Sequence, residues 1–259
     1  MSDQDDGVPA SGPGSAASPG AATVPDGLVS AVVHLVDTGP VMLGAYTIAE
    51  LTAVDAVVDF LEARPSDEVL AEAVRSLAAR QLLVPGSSQE QVQVRGDLGI
   101  AVAFQQRARK VLDLRVAGTK PGEPWRVLVL PQPEDICLVV RIDALGVHEI
   151  ALYKVDDTLE MLSEWLPHGS PTREELATDE NSLLTDSDRS ALVTLTEYTA
   201  EGSAETAVSS RDLILAARKG HLHAMTRDNS DSEDGALKPI TVDGKDGIRD
   251  RLGELIAVG

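Results

Sequence analysis

Apolar and polar residues recur with two different periods along the chain, and the switches between them mark its elements. Residues 28–36 (LVSAVVHLV) and 40–46 (PVMLGAY) are short valine-rich runs, a pattern that predicts one or two strands. The period then lengthens. In TIAELTAVDAVVDFLEARP (47–65), Thr47 and Glu50 have capping-box spacing, and Leu51, Val54, Val58 and Leu61 recur on one helical face until Pro65. Ser66 is placed to cap a second helix carrying Val69, Ala73, Val74 and Leu77, which gives way at RQLLVPG. SSQEQVQV (87–94) alternates toward a short strand. Asp97 is placed to cap a third helix with Leu98, Ala101, Val102 and Gln105 on one face. Its basic residues gather at the C-terminal end, where the helix dipole favours them.

Four strand-like runs follow at 111–116, 126–130, 136–142 and 148–155, joined by short turns containing Gly, Pro or Asp. Such spacing predicts an antiparallel meander. Asp157 with Glu160 repeats the capping-box spacing before a helix striped with Leu159, Leu162, Trp165 and Leu166. A polar stretch at 168–190 reads as a linker or short exposed helix. Strand patterns resume at 191–199, 211–218, 221–227 and 237–242, and a last helix carries Ile248, Leu252, Leu255 and Ile256. Meandering strands closed by one amphipathic helix thus occur twice. The expected fold is α+β: two related halves in a quasi-twofold arrangement, with a central antiparallel sheet flanked by helices. The expected division is a disordered tail (1–27), an N-terminal half (28–167), a linker (168–190) and a C-terminal half (191–259).

Composition narrows the partners. Across 259 residues, 43% are hydrophobic but only 3% aromatic, so the core rests on Leu, Val, Ile and Ala. With 42 acidic against 22 basic residues the formal charge is -20, which repels phosphate backbones and anionic lipid surfaces, so no nucleic-acid partner is expected. No apolar run approaches the length of a membrane span, and no membrane insertion is expected. The N-terminal stretch is acidic where a signal peptide is basic, and its Gly, Pro, Ser and Ala predict disorder; the expected location is cytoplasmic. The single cysteine, Cys137, sits in ICLVVRI and reads as a buried, inert thiol.

Candidate chemistry is sparse. His221 and His223 alternate on a strand and could present two imidazoles to an ion, with His148 as a distant third, but surface histidines are the simpler reading. RDNSDSEDG (227–235) places Ser230, Ser232, Asp234 and Gly235 at calcium-loop positions. Thr241 then stands where a bidentate glutamate is needed, and the segment lies between strands, so a hairpin tip is preferred. Asp156 and Asp157 read as helix-capping acids, not an acid–base pair. GDLG (96–99) lacks the spacing of a phosphate loop, and no nucleophile elbow or dinucleotide fingerprint occurs. No catalytic, cofactor-binding, metal-binding or partner-binding residue is assigned, and an enzyme is not expected. Residues 51–95 have the outline of a winged helix, but the second helix offers Glu68, Glu72, Arg75 and Arg80 in place of a basic face.

The order of elements resembles the EspG family of actinobacterial type VII (ESX) secretion. The resemblance lies in TIAEL (47–51), SLAARQLLV (76–84), GDLGIAVAFQQRA (96–108), LEMLSEWLP (159–167) and the closing ITVDGKDGIRDRLGELI. Gln81 stands where the family usually has glycine. The resemblance implies a cytosolic chaperone with no cofactor, built as a quasi-twofold α/β fold on a central antiparallel sheet. Such a protein binds a PE–PPE-type helical export substrate and shields its apolar tip. The alternatives are a winged-helix transcription regulator or a non-enzymatic adaptor.

Overall fold

The computed structural model describes residues 26–56, 64–86, 92–172, 185–201, 204–228 and 237–257. Its helices are α1 (Asp26–Val36), α2 (Ile48–Ala53), α3 (Asp67–Ala79), α4 (Gly96–Arg107), α5 (Val155–Trp165) and α6 (Gly244–Ile256). Its strands are β1 (Val41–Thr47), β2 (Leu83–Pro85), β3 (Val92–Val94), β4 (Lys110–Ala117), β5 (Arg126–Pro131), β6 (Ile136–Ile142) and β7 (Val147–Lys154). They continue with β8 (Ser170–Pro171), β9 (Arg189–Glu201), β10 (Ala204–Arg218), β11 (His221–Asp228) and β12 (Lys238–Ile240). The fold is α+β, with a ten-stranded sheet in the order β1-β7-β6-β5-β4-β9-β10-β11-β12, β8 pairing β11 at the side, and a separate β2–β3 ribbon.

Two meanders meet back to back in that order. β7-β6-β5-β4 and β9-β10-β11-β12 join through their first strands, with Leu112 opposite Leu195 and Leu114 opposite Val193. An antiparallel join between first strands relates the halves by a local two-fold, and α5 and α6 then fall on the same face. There Leu159, Leu162 and Leu166 share a core with Ile248, Leu252, Ile256 and the strand residues Leu112, Val129, Val139 and Val193. The opposite face carries Val111, Leu128, Val140 and Ile150. It is covered over the first half by Val32 and Val36 of α1, Leu51 of α2, Leu77 of α3, and Leu98, Ala101 and Phe104 of α4. Side-chain alternation along each strand is what feeds these two cores separately. The turn at Lys219 and Gly220, both at positive φ (50° and 81°), joins β10 to β11 in the sense that matches strand twist.

Several local expectations are corrected. Residues 28–36 form helix, not strand: Val29, Val32 and Val36 are buried at helical spacing, while Leu28 and Leu35 face solvent. The capping box of Thr47 and Glu50 is present, but α2 stops at Ala53. Asp55 takes a left-handed φ of 54°, and the Ala56 and Asp55 amides donate to the carbonyls of Leu51 and Thr52, closing a Schellman motif. Val58 and Leu61 lie outside the described residues. Ser66 caps α3 as expected, although Val69 and Val74 are exposed and only Ala73 and Leu77 are buried. Asp97 and Asp157 do not cap: Arg95 and Lys154 hold the cap positions without side-chain bonds, and both aspartates sit in the first turn, where the dipole favours acids. Residues 170–171, read as linker, form β8, and β10 starts at Ala204 instead of Arg211. The expected tail falls outside the described residues up to residue 25, and α1 begins at Asp26.

Candidate functional site

One cross-strand row organises the face opposite α5 and α6. Strand register aligns Tyr46, His148, Ile142, Arg126, Arg115, Leu192, Ile214, Met225 and Pro239 from β1 to β12. Two arginines therefore face each other directly, a repulsive pairing unless an anion intervenes. Asp113, from the adjacent row, is that anion. Its Oδ1 accepts from Arg126 Nε at 2.7 Å, and its Oδ2 accepts from Arg126 at 2.9 Å and from Arg115 Nε and Nη2 at 2.9 and 2.7 Å. Arg126 is 7% exposed, so its charge depends on this partner. Asp113 also begins a polar row, Asp113–Thr194–Asp212–Arg227, in which Thr194 donates to Asp212 at 2.9 Å and Arg227 Nη2 donates to Asp212 at 2.7 Å.

On the first-half side of the arginines, the sheet and helices leave an apolar cavity of about 240 Å³ between α2, α4 and β5–β7. Leu51, Leu98, Ala101, Leu128, Val140 and Ile150 are among its walls, and Gln105, Trp125, Arg126 and His148 supply its polar groups. His148 is 8% exposed, and its Nδ1–H donates to the Gly146 carbonyl at 3.0 Å. Burial outweighs this bond and lowers the imidazole's pKa from its ordinary 6.5, favouring the neutral ring.

On the second-half side the same face is dressed differently. Ile214 and Ala216 are packed by partly buried Leu192, Met225 and Leu237, and no described helix contributes to that cluster. An open groove of about 580 Å³ runs beside Trp125, between Arg115 and Leu192, with Asp188 and Ser190 at its rim. Trp125 is 41% exposed and donates through Nε1 to the Asp143 carbonyl at 3.0 Å, which fixes its ring beside the turn bearing Leu145. Leu145 is 88% exposed.

The residues singled out from the sequence are not brought together. His221 and His223 share a face as expected, but His148 is six strand steps away, about 29 Å at about 4.8 Å per step. Among the described residues, no group of three His, Cys, Asp or Glu is placed to hold a metal. Ser230, Ser232, Asp234 and Gly235 lie outside the described residues, between β11 and β12, and Thr241 is exposed. Asp156 pairs with Arg249 at 3.1 Å across α5 and α6. Cys137 is fully buried, and burial pushes its thiol pKa up to about 12. The segment read as a winged-helix outline holds α2, α3 and the β2–β3 ribbon. Its arginines are engaged, Arg75 by Glu72 and Arg80 by Glu50 at 3.1 Å and by the Tyr46 ring at 5.0 Å. Sequence reading missed Asp113 and Arg126, and weighed His148 only as a distant metal ligand. The available signal was a lone aspartate inside an otherwise apolar strand, VLDLRV, with Arg115 two residues on.

No described helix is long and apolar enough to cross a membrane. No protein-family model matches the chain, and no curated protein matches it either.

Proposed function

We propose that this chain is a non-catalytic client-binding protein, a cytoplasmic chaperone of the EspG type that receives the apolar tip of a helical PE–PPE-like export substrate in type VII secretion. The observation that carries the reading is the groove beside Trp125. It brings exposed Trp125 against partly buried Leu192, rimmed by Arg115, Asp188 and Ser190, and Leu145 is exposed on the turn whose Asp143 carbonyl holds the tryptophan ring. An apolar centre within a polar rim, anchored by an aromatic side chain, is the anatomy of a protein-binding surface. The formal charge of -20 supports a soluble binder that avoids nucleic acid.

The test is affinity purification of the full chain from its native host, with mass spectrometry, alongside a variant carrying Trp125→Ala and Leu145→Asp. Both residues are exposed, so the variant is expected to fold. The reading predicts that a helical export substrate co-purifies with the natural chain and is lost from the variant. Recovery of no such substrate, or undiminished recovery by the variant, overturns it; saturable, sequence-dependent DNA binding would favour the winged-helix alternative.

A further inference from the structure

Helix α4 turns one stripe toward the cavity beside it: Leu98, Ala101, Val102 and Gln105 recur at helical spacing, and all of them line that space. The first three are apolar and the last is an amide. Gln105 is half-buried, and a glutamine on the wall of an apolar space loses free energy unless its amide is bonded. Among the described residues no group bonds the Gln105 side chain, which leaves a carbonyl acceptor and the N–H donors of one amide at the cavity wall.

Charge narrows what can enter. Among the described lining residues only Arg126 carries a fixed charge, and Asp113 meets it with both carboxylate oxygens, at 2.7 Å from Nε and 2.9 Å from Nη2. Arg115, which shares that carboxylate, is not part of the wall, and Asp143 in the turn before His148 balances its charge in the count. His148 is held neutral by burial and is already bonded to the Gly146 carbonyl. An anion or a cation moved into this space would therefore lose its hydration without gaining a free counterion. An uncharged guest meets no such penalty, and Leu128, Leu138, Val140 and Ile150 offer its body apolar contacts.

Size sets the remaining limit. A core at native density leaves few spaces larger than a water, and an apolar cavity of about 150 Å³ accepts benzene, so about 240 Å³ suits a guest of about ten non-hydrogen atoms. We propose that this cavity binds a small uncharged molecule with an apolar body and a single hydroxyl or carbonyl group, which exchanges a hydrogen bond with the Gln105 amide. The described lining comes from the first half alone, so the site stands whether or not the chain binds a secretion client.

Isothermal titration and thermal unfolding of the full chain test this with 2-phenylethanol and three analogues of similar shape: phenylacetate, 2-phenylethylamine and propylbenzene. The alcohol is expected to bind once per chain and to raise Tm. Phenylacetate and 2-phenylethylamine, both ionised at neutral pH, are each expected to bind at least about tenfold more weakly. Ala101→Leu, which fills part of the space from α4, is expected to weaken the alcohol by at least about tenfold. Gln105→Leu keeps the bulk and removes the amide, and is expected to lower the affinity for the alcohol relative to propylbenzene by about threefold to tenfold. A general loosening of α4 would weaken both ligands and leave that ratio unmoved. No saturable binding of the alcohol, a charged analogue bound as tightly as the alcohol, alcohol affinity unmoved by Ala101→Leu, or an alcohol-to-propylbenzene ratio unmoved by Gln105→Leu would each overturn the proposal.

Discussion

Gln81 offers a sharp test of how local backbone geometry is written into this chain. It follows α3 at a φ of 59°, in the left-handed region that favours glycine. Its amide donates to the Ala78 carbonyl at 2.9 Å, and the Leu82 amide donates to the Leu77 carbonyl at 2.9 Å, the paired bonds of a Schellman motif with Gln81 at the position after the cap. Leu82 then packs on the core that contains Leu77. The Gln81 side chain is exposed, so its removal breaks no core contact. A non-glycine residue in this conformation costs about 1–2 kcal/mol, and glycine gives back about 0.4–1 kcal/mol through the freer unfolded chain. Gln81→Gly should therefore stabilise by about 0.5–1 kcal/mol, whereas Gln81→Val, β-branched at positive φ, should destabilise by about 1 kcal/mol. Urea unfolding followed by tryptophan fluorescence resolves differences of this size. A glycine variant no more stable than the natural chain, together with a valine variant equal to it, would refute the assignment of strain to this residue.

Other substitutions probe the buried polar groups. Glu50 accepts from the Thr47 amide at 2.9 Å, the Ser76 hydroxyl at 2.8 Å and Arg80 at 3.1 Å. Burial acts to raise its pKa, but these bonds outweigh it and hold the carboxyl below its ordinary 4.5. Its contribution is therefore full above about pH 4.5 and is lost as pH falls through the depressed folded-state value. Glu50→Gln should cost about 1–2 kcal/mol at neutral pH, with a gap to the natural chain that closes in acid, as measured by urea unfolding across pH. Asp113→Ala strands the buried Arg126 cation and should cost about 3–5 kcal/mol in the same assay, while Asp113→Leu combined with Arg126→Met should recover most of that loss. Cys137, its thiol pKa raised to about 12 by burial, should resist maleimide at pH 8 until the chain unfolds, and labelling of the folded protein would contradict its burial.

What the sequence disclosed follows from the range of the interactions involved. The strands β4 to β7 were legible because each apolar run is bounded by a short turn, and nearest-neighbour pairing then sets the meander. The helix α1 was misread although its period was present at Val29, Val32 and Val36, because valine-rich composition pointed to a strand and the packing that decides between them comes from elsewhere in the chain, β7 included. The stop of α2 was hidden because it depends on one aspartate, Asp55, accepting a left-handed φ, which leaves no mark in a helical pattern. The candidate sites were the least legible parts. Leu192 lies far in sequence from Arg115, Arg126 and His148, and only strand register places all four in one row.

That row also explains how one sheet built of two meanders yields two unlike surfaces. The local two-fold between β4 and β9 makes the two meanders equivalent in order, and α5 and α6 respect it by packing side by side on one face. The insertion of α1 to α4 before β4 breaks the equivalence on the other face alone. Over the first half, the helices close the arginine end of the row into a cavity; over the second, the described residues leave Leu192 and Met225 under no helix. The boundary between these regimes falls at Arg115 and Arg126, the point where β4 meets β5, and Trp125 stands at that boundary, bordering both the cavity and the groove.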